Sequence, residues 1–257
     1  MARNRSRGVR ALLWTTAVLT ALLLVAGVAF AVWALTPYRA EPGPLLRAEE
    51  DPAVVVERRD GSVVIAPAED PSGVGVVFYP GARVEAEAYA AAWAPVVARS
   101  GATVVVPDLR LNLALFDPAR GESAVEAAPG ISEWYLGGHS MGGAFAAQYL
   151  GSGDGDVEWA GLVLWASYPT ESSGLAERDD LGVLSVAGGN DGVLTADEMA
   201  ERAPYLPENA VTEVIEGMNH AQFGAYGEQS GDSAPELTDE EAHEALAEVT
   251  GDFLDPS

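Results

Sequence analysis

The sequence predicts an α/β domain, a mostly parallel sheet with helices on both faces, preceded by one apolar helix. Three observations carry this. From residue 74 onward, short β-branched runs alternate with longer helical stretches, the pattern of parallel strands joined by crossover helices. An antiparallel hairpin signal stands just before them. Ahead of both, residues 11–35 form a run of 25 positions without a single charge.

That run, "ALLWTTAVLTALLLVAGVAFAVWAL", would make roughly 37 Å of helix, more than the roughly 30 Å of a hydrocarbon core. It reads as a transmembrane signal anchor, longer than the apolar region of a cleaved secretory signal. A small-x-small site at Ala29-Phe30-Ala31 leaves cleavage open. Residues 1–10 carry four arginines and no acid, which by the positive-inside rule makes them a cytoplasmic basic tail. Everything after residue 35 is then expected outside the cytoplasm, on a single-pass protein of the cell membrane. Residues 36–52 hold four prolines and read as a semi-extended linker, and residues 53–257 as the folded domain.

Of 14 basic and 39 acidic residues, only four basic ones precede residue 36, so the domain itself is strongly acidic. Such a surface argues against nucleic acid as a partner and against electrostatic adhesion to anionic lipid. The bilayer is expected as a partner through the N-terminal helix alone. Cysteine is absent, which rules out disulfides, thiolate zinc sites and a cysteine nucleophile.

The domain opens with "AVVVERRDGSVVIAPA", two β-branched runs around Asp60-Gly61, a strong hairpin signal. Strands follow at 74–80, 102–108, 133–140, 160–169, 181–189 and 210–217. Helices are expected around 85–99, 118–128, 141–150, 195–203 and 238–254.

In such a sheet chemistry gathers at the carboxyl ends of the strands. There "LGGHSMGG" places Ser140 between Gly138 and Gly142, a G-x-S-x-G nucleophile elbow. The glycines permit a tight strand-to-helix turn. The helix that begins at Met141 favours negative charge beside the hydroxyl, with Met141 N–H as one oxyanion donor. The bland alternative is a helix N-cap in a glycine-rich loop.

A serine hydroxyl needs a base. Of three histidines, His139 lies inside the elbow with its side chain directed elsewhere, and His243 sits on a Glu-rich helix expected to face solvent. His220, directly after the last strand, remains. To orient it, "VAGGNDGVL" offers Asp191 after the penultimate strand, with Glu171, Asp179 and Asp180 as alternatives. A calcium loop at the same stretch fails, since Ala187 and Gly189 would occupy ligand positions.

The order Ser140, Asp191, His220 is that of α/β-hydrolases. The chain resembles a compact dienelactone-hydrolase-like subfamily of the α/β-hydrolase superfamily, of the fold-5 type. The resemblance rests on "YPGARVEAEAYA", "LNLALF", "GGHSMGG", "GLVLWASYP", "GGNDGV" and "GMNHAQFGAYGEQSGD", over roughly residues 74–254. It implies an α/β-hydrolase fold and a second oxyanion donor in the loop after the strand at 74–80. Where relatives have His-Gly-x, this chain has Pro80-Gly81-Ala82; Ala82 N–H is the expected donor and Gly81 the runner-up.

Only about a dozen residues separate "LVLWASYP" from "LGVLSVAGG", too few for a helical cap, so the site is expected to be shallow. Trp93, Trp134, Trp159 and Trp165 are expected in the core. Arg83 is expected to pair with Glu85 or Glu87, with recognition of a substrate carboxylate as the alternative. Asn112 and Phe116 are candidates to line the site. The reading is a membrane-anchored serine hydrolase acting on a small-molecule ester, thioester or related acyl compound, with no cofactor or metal. An acyltransferase with the same three residues, or a non-catalytic tethered binding module, are the alternatives.

Overall fold

The computed structural model describes residues 2–255. Met1, Pro256 and Ser257, at the ends of the expected tail and domain, lie outside the described residues. The chain divides into two units, with the boundary between Pro37 and Tyr38. The first unit is one helix, α1 (Ala2–Ala34), whose segment Leu12–Ala34 has a mean hydropathy of 2.4 and is long and apolar enough to cross a membrane.

The second unit opens with α2 (Pro42–Glu50), where an extended linker was expected. The prolines cause the helix instead of preventing it. Pro42 stands at its start, where no backbone N–H has an intrahelical partner, so the ring costs nothing and its fixed φ suits the first turn. Ala48 is buried against the domain core.

The hairpin β1 (Val54–Arg59) and β2 (Ser62–Pro67) turns at Asp60 and Gly61, both with positive φ, as a two-residue primed turn requires. Then follow β3 (Val74–Tyr79), a short 3₁₀ turn leading into α3 (Ala90–Ser100), β4 (Thr103–Pro107), α4 (Arg120–Ala124), β5 (Glu133–His139) and α5 (Met141–Ser152). The chain continues through β6 (Trp159–Trp165), β7 (Gly182–Gly188), α6 (Ala196–Arg202), β8 (Val211–Ile215) and α7 (Asp239–Leu254).

The eight strands lie in the order β1-β2-β4-β3-β5-β6-β7-β8; β1–β2 and β2–β4 are antiparallel and all later pairs parallel. Strand alternation sends neighbouring residues to opposite faces. Val76, Phe78, Val163 and Trp165 join the core under α2, α3 and α7, while Val77, Tyr79, Leu162 and Leu164 join the core under α4 and α5. Trp93 and Trp165 stack at 4.3 Å between ring centroids in the first core, and Trp134 and Trp159 pack partly buried against the second.

Helix α7 corrects one expectation. His243 is buried, because it shares a helical stripe with Ala247, Thr250 and Leu254, spaced four, seven and eleven residues on. The glutamates dominate the composition of the helix but occupy its other side.

The crossover that matters is at the sheet centre. After β3 the chain moves to β4 on one side, and after β4 it returns over β3 to β5 on the other. The loops following β3 and β5 therefore open away from each other at the carboxyl edge and leave a crevice between them.

Candidate active site

Ser140 follows β5 directly, in that crevice, with φ 53 and ψ −125, a strained conformation for a residue with a side chain. Neighbouring backbone holds it there. Ser140 N–H donates to Trp165 O at 3.0 Å, and its carbonyl accepts from the Ser167 hydroxyl at 2.7 Å. The flanking glycines are required by close approach: a Cβ on Gly142 would collide with the carbonyl oxygens of Tyr79 and Pro80, and one on Gly138 with the backbone of Gly142 and Gly143.

Asp191 and His220 meet at the ends of β7 and β8. His220 Nδ1 lies 2.7 Å from Asp191 Oδ2, and both side chains are almost completely buried. Asp191 Oδ1 accepts the backbone N–H groups of Val193 and Leu194, each at 2.7 Å. A carboxylate so placed only accepts, which selects the neutral-ring tautomer with the proton on Nδ1 and the lone pair on Nε2. That Nε2 is buried and has no hydrogen-bond partner among the described residues, so no such bond joins it to Ser140. The competing carboxylates Glu171, Asp179 and Asp180 are exposed, and Asp180 pairs with Arg178 at 2.7 Å.

His139, adjacent to Ser140 in the chain, is fully buried with its ring 4.5 Å from that of His220. Its Nδ1 lies 2.9 Å from the Tyr89 hydroxyl, which accepts Gly81 N–H at 2.7 Å and therefore turns its own proton toward the ring. Burial, and then the neighbouring His220, hold His139 well below the ordinary histidine range, so it is neutral.

This arrangement separates the two oxyanion candidates in the loop after β3. Gly81 N–H is committed to Tyr89. Ala82 N–H and Met141 N–H donate to no group among the described residues.

Around this centre the expectations divide. Glu85 pairs with Arg39 at 3.7 Å and Glu87 with Arg58 at 2.6 Å, while the Arg83 guanidinium lies 5.3 Å over the Tyr38 ring. Asn112 acts through its backbone, its carbonyl accepting Arg83 N–H at 2.8 Å, and Phe116 is exposed on the same loop. Between β6 and β7 stand only two short 3₁₀ turns, Glu171–Ser173 and Leu175–Glu177.

Sequence reasoning missed Asp232. Its Oδ1 accepts Gly192 N–H at 3.0 Å, His220 N–H at 3.3 Å and Ser233 N–H at 2.8 Å, and its Oδ2 accepts Ala221 N–H at 2.9 Å. One carboxylate thus ties the loop of Asp191 to the loop of His220. The signal was an aspartate closing "GEQSGD", a turn-rich stretch a short distance after His220. Tyr89 was also missed, because nothing in a lone tyrosine at a helix start announces what its hydroxyl will reach.

The family model described as alpha/beta hydrolase family matches residues 75–244. Among solved structures, a predicted CIB-like hydrolase from Thermoplasma acidophilum is 17% identical, with a TM-score of 0.55, over 78% of this chain and 98% of that one. The HSL-homolog EstE7 from a metagenome library is 16% identical, with a TM-score of 0.55, over 88% of this chain and 97% of that one. A hyperthermophilic esterase from the archaeon Pyrobaculum calidifontis is 17% identical, with a TM-score of 0.56, over 88% and 90%. No curated protein sequence matches the chain significantly. These structural likenesses carry the fold, and the family match, which spans most of the strands and the loops that hold Ser140, Asp191 and His220, places the chain in the alpha/beta hydrolase family.

Proposed function

We propose that the chain is a carboxylesterase-like serine hydrolase that cleaves an ester, thioester or related acyl bond through Ser140, His220 and Asp191. The observation that supports this best is the buried 2.7 Å contact between His220 and Asp191, which leaves Nε2 as an unshared base. In this reading Ser140 Oγ attacks the acyl carbonyl as its proton passes to Nε2. The oxyanion is held by Met141 and Ala82 N–H groups, both otherwise undonated. Collapse expels the alcohol or thiol, which takes the proton from Nε2, and water then releases the acid by the same route. The reading requires Ser140 Oγ and His220 Nε2 to close to hydrogen-bond distance on substrate, as such bonds tighten in the substrate complex.

The test is covalent. A fluorophosphonate should label the wild-type chain and not Ser140→Ala, and the variant should lose hydrolysis of p-nitrophenyl butyrate while keeping its circular dichroism spectrum. Wild-type turnover by Ser140→Ala overturns the reading.

The N-terminal helix, on the same proposal, anchors the enzyme with the hydrolase unit outside the cytoplasm, as its apolar length and the four preceding arginines support. Full-length protein should then resist extraction from membranes by carbonate. Recovery of a soluble form beginning at Val32 would show a cleaved signal instead.

A further inference from the structure

The stem that enters the hydrolase unit is built into the candidate site. Tyr38 forms a parallel bridge with Val84: its N–H donates to Arg83 O at 2.6 Å, and Glu85 N–H donates to its carbonyl at 3.0 Å. Its ring lies 5.6 Å from that of Tyr226, and Glu41 N–H donates to Ala225 O at 2.8 Å. Four residues, Tyr38 to Glu41, thus strap together the loop that presents Ala82 and the loop that begins at His220. The apolar helix ends at Ala34. Only residues 35–37 separate that end from Tyr38, a covalent stem of at most about 14 Å.

A second observation points the same way. Among the described residues from Tyr38 onward, eight large hydrophobic residues are exposed, and four of them, Leu115, Phe116, Met141 and Val193, stand on the loops or helix start that follow β4, β5 and β7. That is the edge that carries Ser140. Apolar side chains concentrated on one functional edge mark a surface that meets a non-aqueous partner. The short connection between β6 and β7 provides no cap to enclose a long acyl chain.

We infer that the site works at the membrane surface and draws its substrate from the bilayer that holds its own N-terminal helix: an amphiphilic ester or thioester with a long acyl chain. This rests on the hydrolase and anchor readings above. The short stem keeps the mouth at the interface, the apolar rim enters it, and the bilayer supplies the enclosure that a cap would otherwise give.

The experiment uses the full chain reconstituted in phosphatidylcholine vesicles and two substrates, soluble p-nitrophenyl butyrate and p-nitrophenyl palmitate incorporated in the vesicles. A flexible Gly/Ser insert of about 30 residues between Thr36 and Pro37 lets the mouth wander some 30 Å while leaving the strap intact. Palmitate turnover should fall about tenfold as effective concentration at the interface drops, with butyrate turnover unchanged. A Leu115→Ser, Phe116→Ser double variant should lower palmitate turnover more than butyrate turnover. If both variants keep the wild-type ratio of the two activities, the interfacial inference is overturned while the hydrolase reading stands. If the unmodified chain hydrolyses neither ester, both fall together.

Discussion

The two halves of the candidate site are held by opposite means. On the β7–β8 side, carboxylates hold the geometry: Asp191 accepts Val193 and Leu194 N–H groups, and Asp232 accepts four more across two loops. On the β3–β5 side, missing side chains hold it: Gly138 and Gly142 let backbone pack against backbone, and Ser140 is kept at positive φ. The first half is a polar cage and the second a steric one. Charge substitutions should therefore damage the proposed base, and added carbon should damage the proposed nucleophile.

The sharpest test of the polar half is Asp191→Asn. An amide at that position would stabilise the wrong tautomer of His220, and kcat should fall by about 10⁴ with the fold retained. Steady-state kinetics beside Glu171→Gln, which should be near wild type, checks the assignment. A crippled Glu171→Gln with an active Asp191→Asn would move the acid to the loop after β6.

The steric half breaks at Gly142→Ala. The new methyl group meets the carbonyl oxygens of Tyr79 and Pro80, which lead directly into the candidate oxyanion loop. Displacement of that loop on the order of 1 Å should cost about 10²-fold in kcat. The loss should come with a lowered melting temperature, and Gly142→Ser should be no better, because the fault is steric. An unchanged kcat with lowered stability would mean that the elbow and the oxyanion loop are separable.

The same contrast explains what could be read in advance. The steric half is written in local sequence, since glycines two residues before and two after a serine, between a strand and a helix, mark a tight turn. The polar half is assembled from two separate stretches: Asp191 comes from the loop after β7, and His220 and Asp232 from the connection between β8 and α7. Elimination among three histidines and the position of Asp191 after β7 singled out two residues that the structure brings to 2.7 Å of each other. Asp232 stayed hidden because its partners are backbone N–H groups, which every residue possesses. Residues 42–50 and His243 were misjudged for a related reason. Proline content and glutamate content describe composition, whereas a proline's place in the first turn and a histidine's place on a helical stripe describe geometry. The strap of Tyr38 was invisible because its bonds to Arg83 and Glu85 are again backbone bonds.

Asp232→Asn sharpens the comparison within the polar half. An amide nitrogen in place of Oδ2 would face Ala221 N–H, donor against donor, at a cost of about 1–3 kcal/mol in stability. Asp232 bonds to the backbone of the Asp191 and His220 loops and to neither functional side chain, so kcat should fall by about one order of magnitude, far less than for Asp191→Asn. Urea denaturation and kcat measured on the same preparation separate the two effects. A loss equal to that of Asp191→Asn would mean that Asp232 takes part in the chemistry itself.

The smallest effect concerns the two histidines outside the proposed reaction. Burial, followed by His220, depresses His139, and burial depresses His243, against a weaker upward pull from Asp239 and the carbonyls of Gly224 and Gln222. Both are neutral in the fold, while in the unfolded chain each takes up a proton near the ordinary histidine value of about 6.5. Above that pH the two states bind equal numbers of protons and neither histidine affects stability. As pH falls below it, the unfolded chain binds more, and unfolding free energy drops by up to about 1.4 kcal/mol per pH unit for each histidine until its folded-state value is reached. Glu198 and Glu241, depressed by their bonds to Thr195 and Thr238, act only lower, in the carboxylate range. Urea melts between pH 7.5 and 5.5 should therefore show stability falling toward acid, and His243→Gln, which removes one of the two groups at a site where the ring lies 3.4 Å from Gly224 O, should lessen that slope without altering kcat. An unaltered slope in His243→Gln would assign the whole effect to His139 and make the elbow, already the strained half of the site, also its acid-sensitive one.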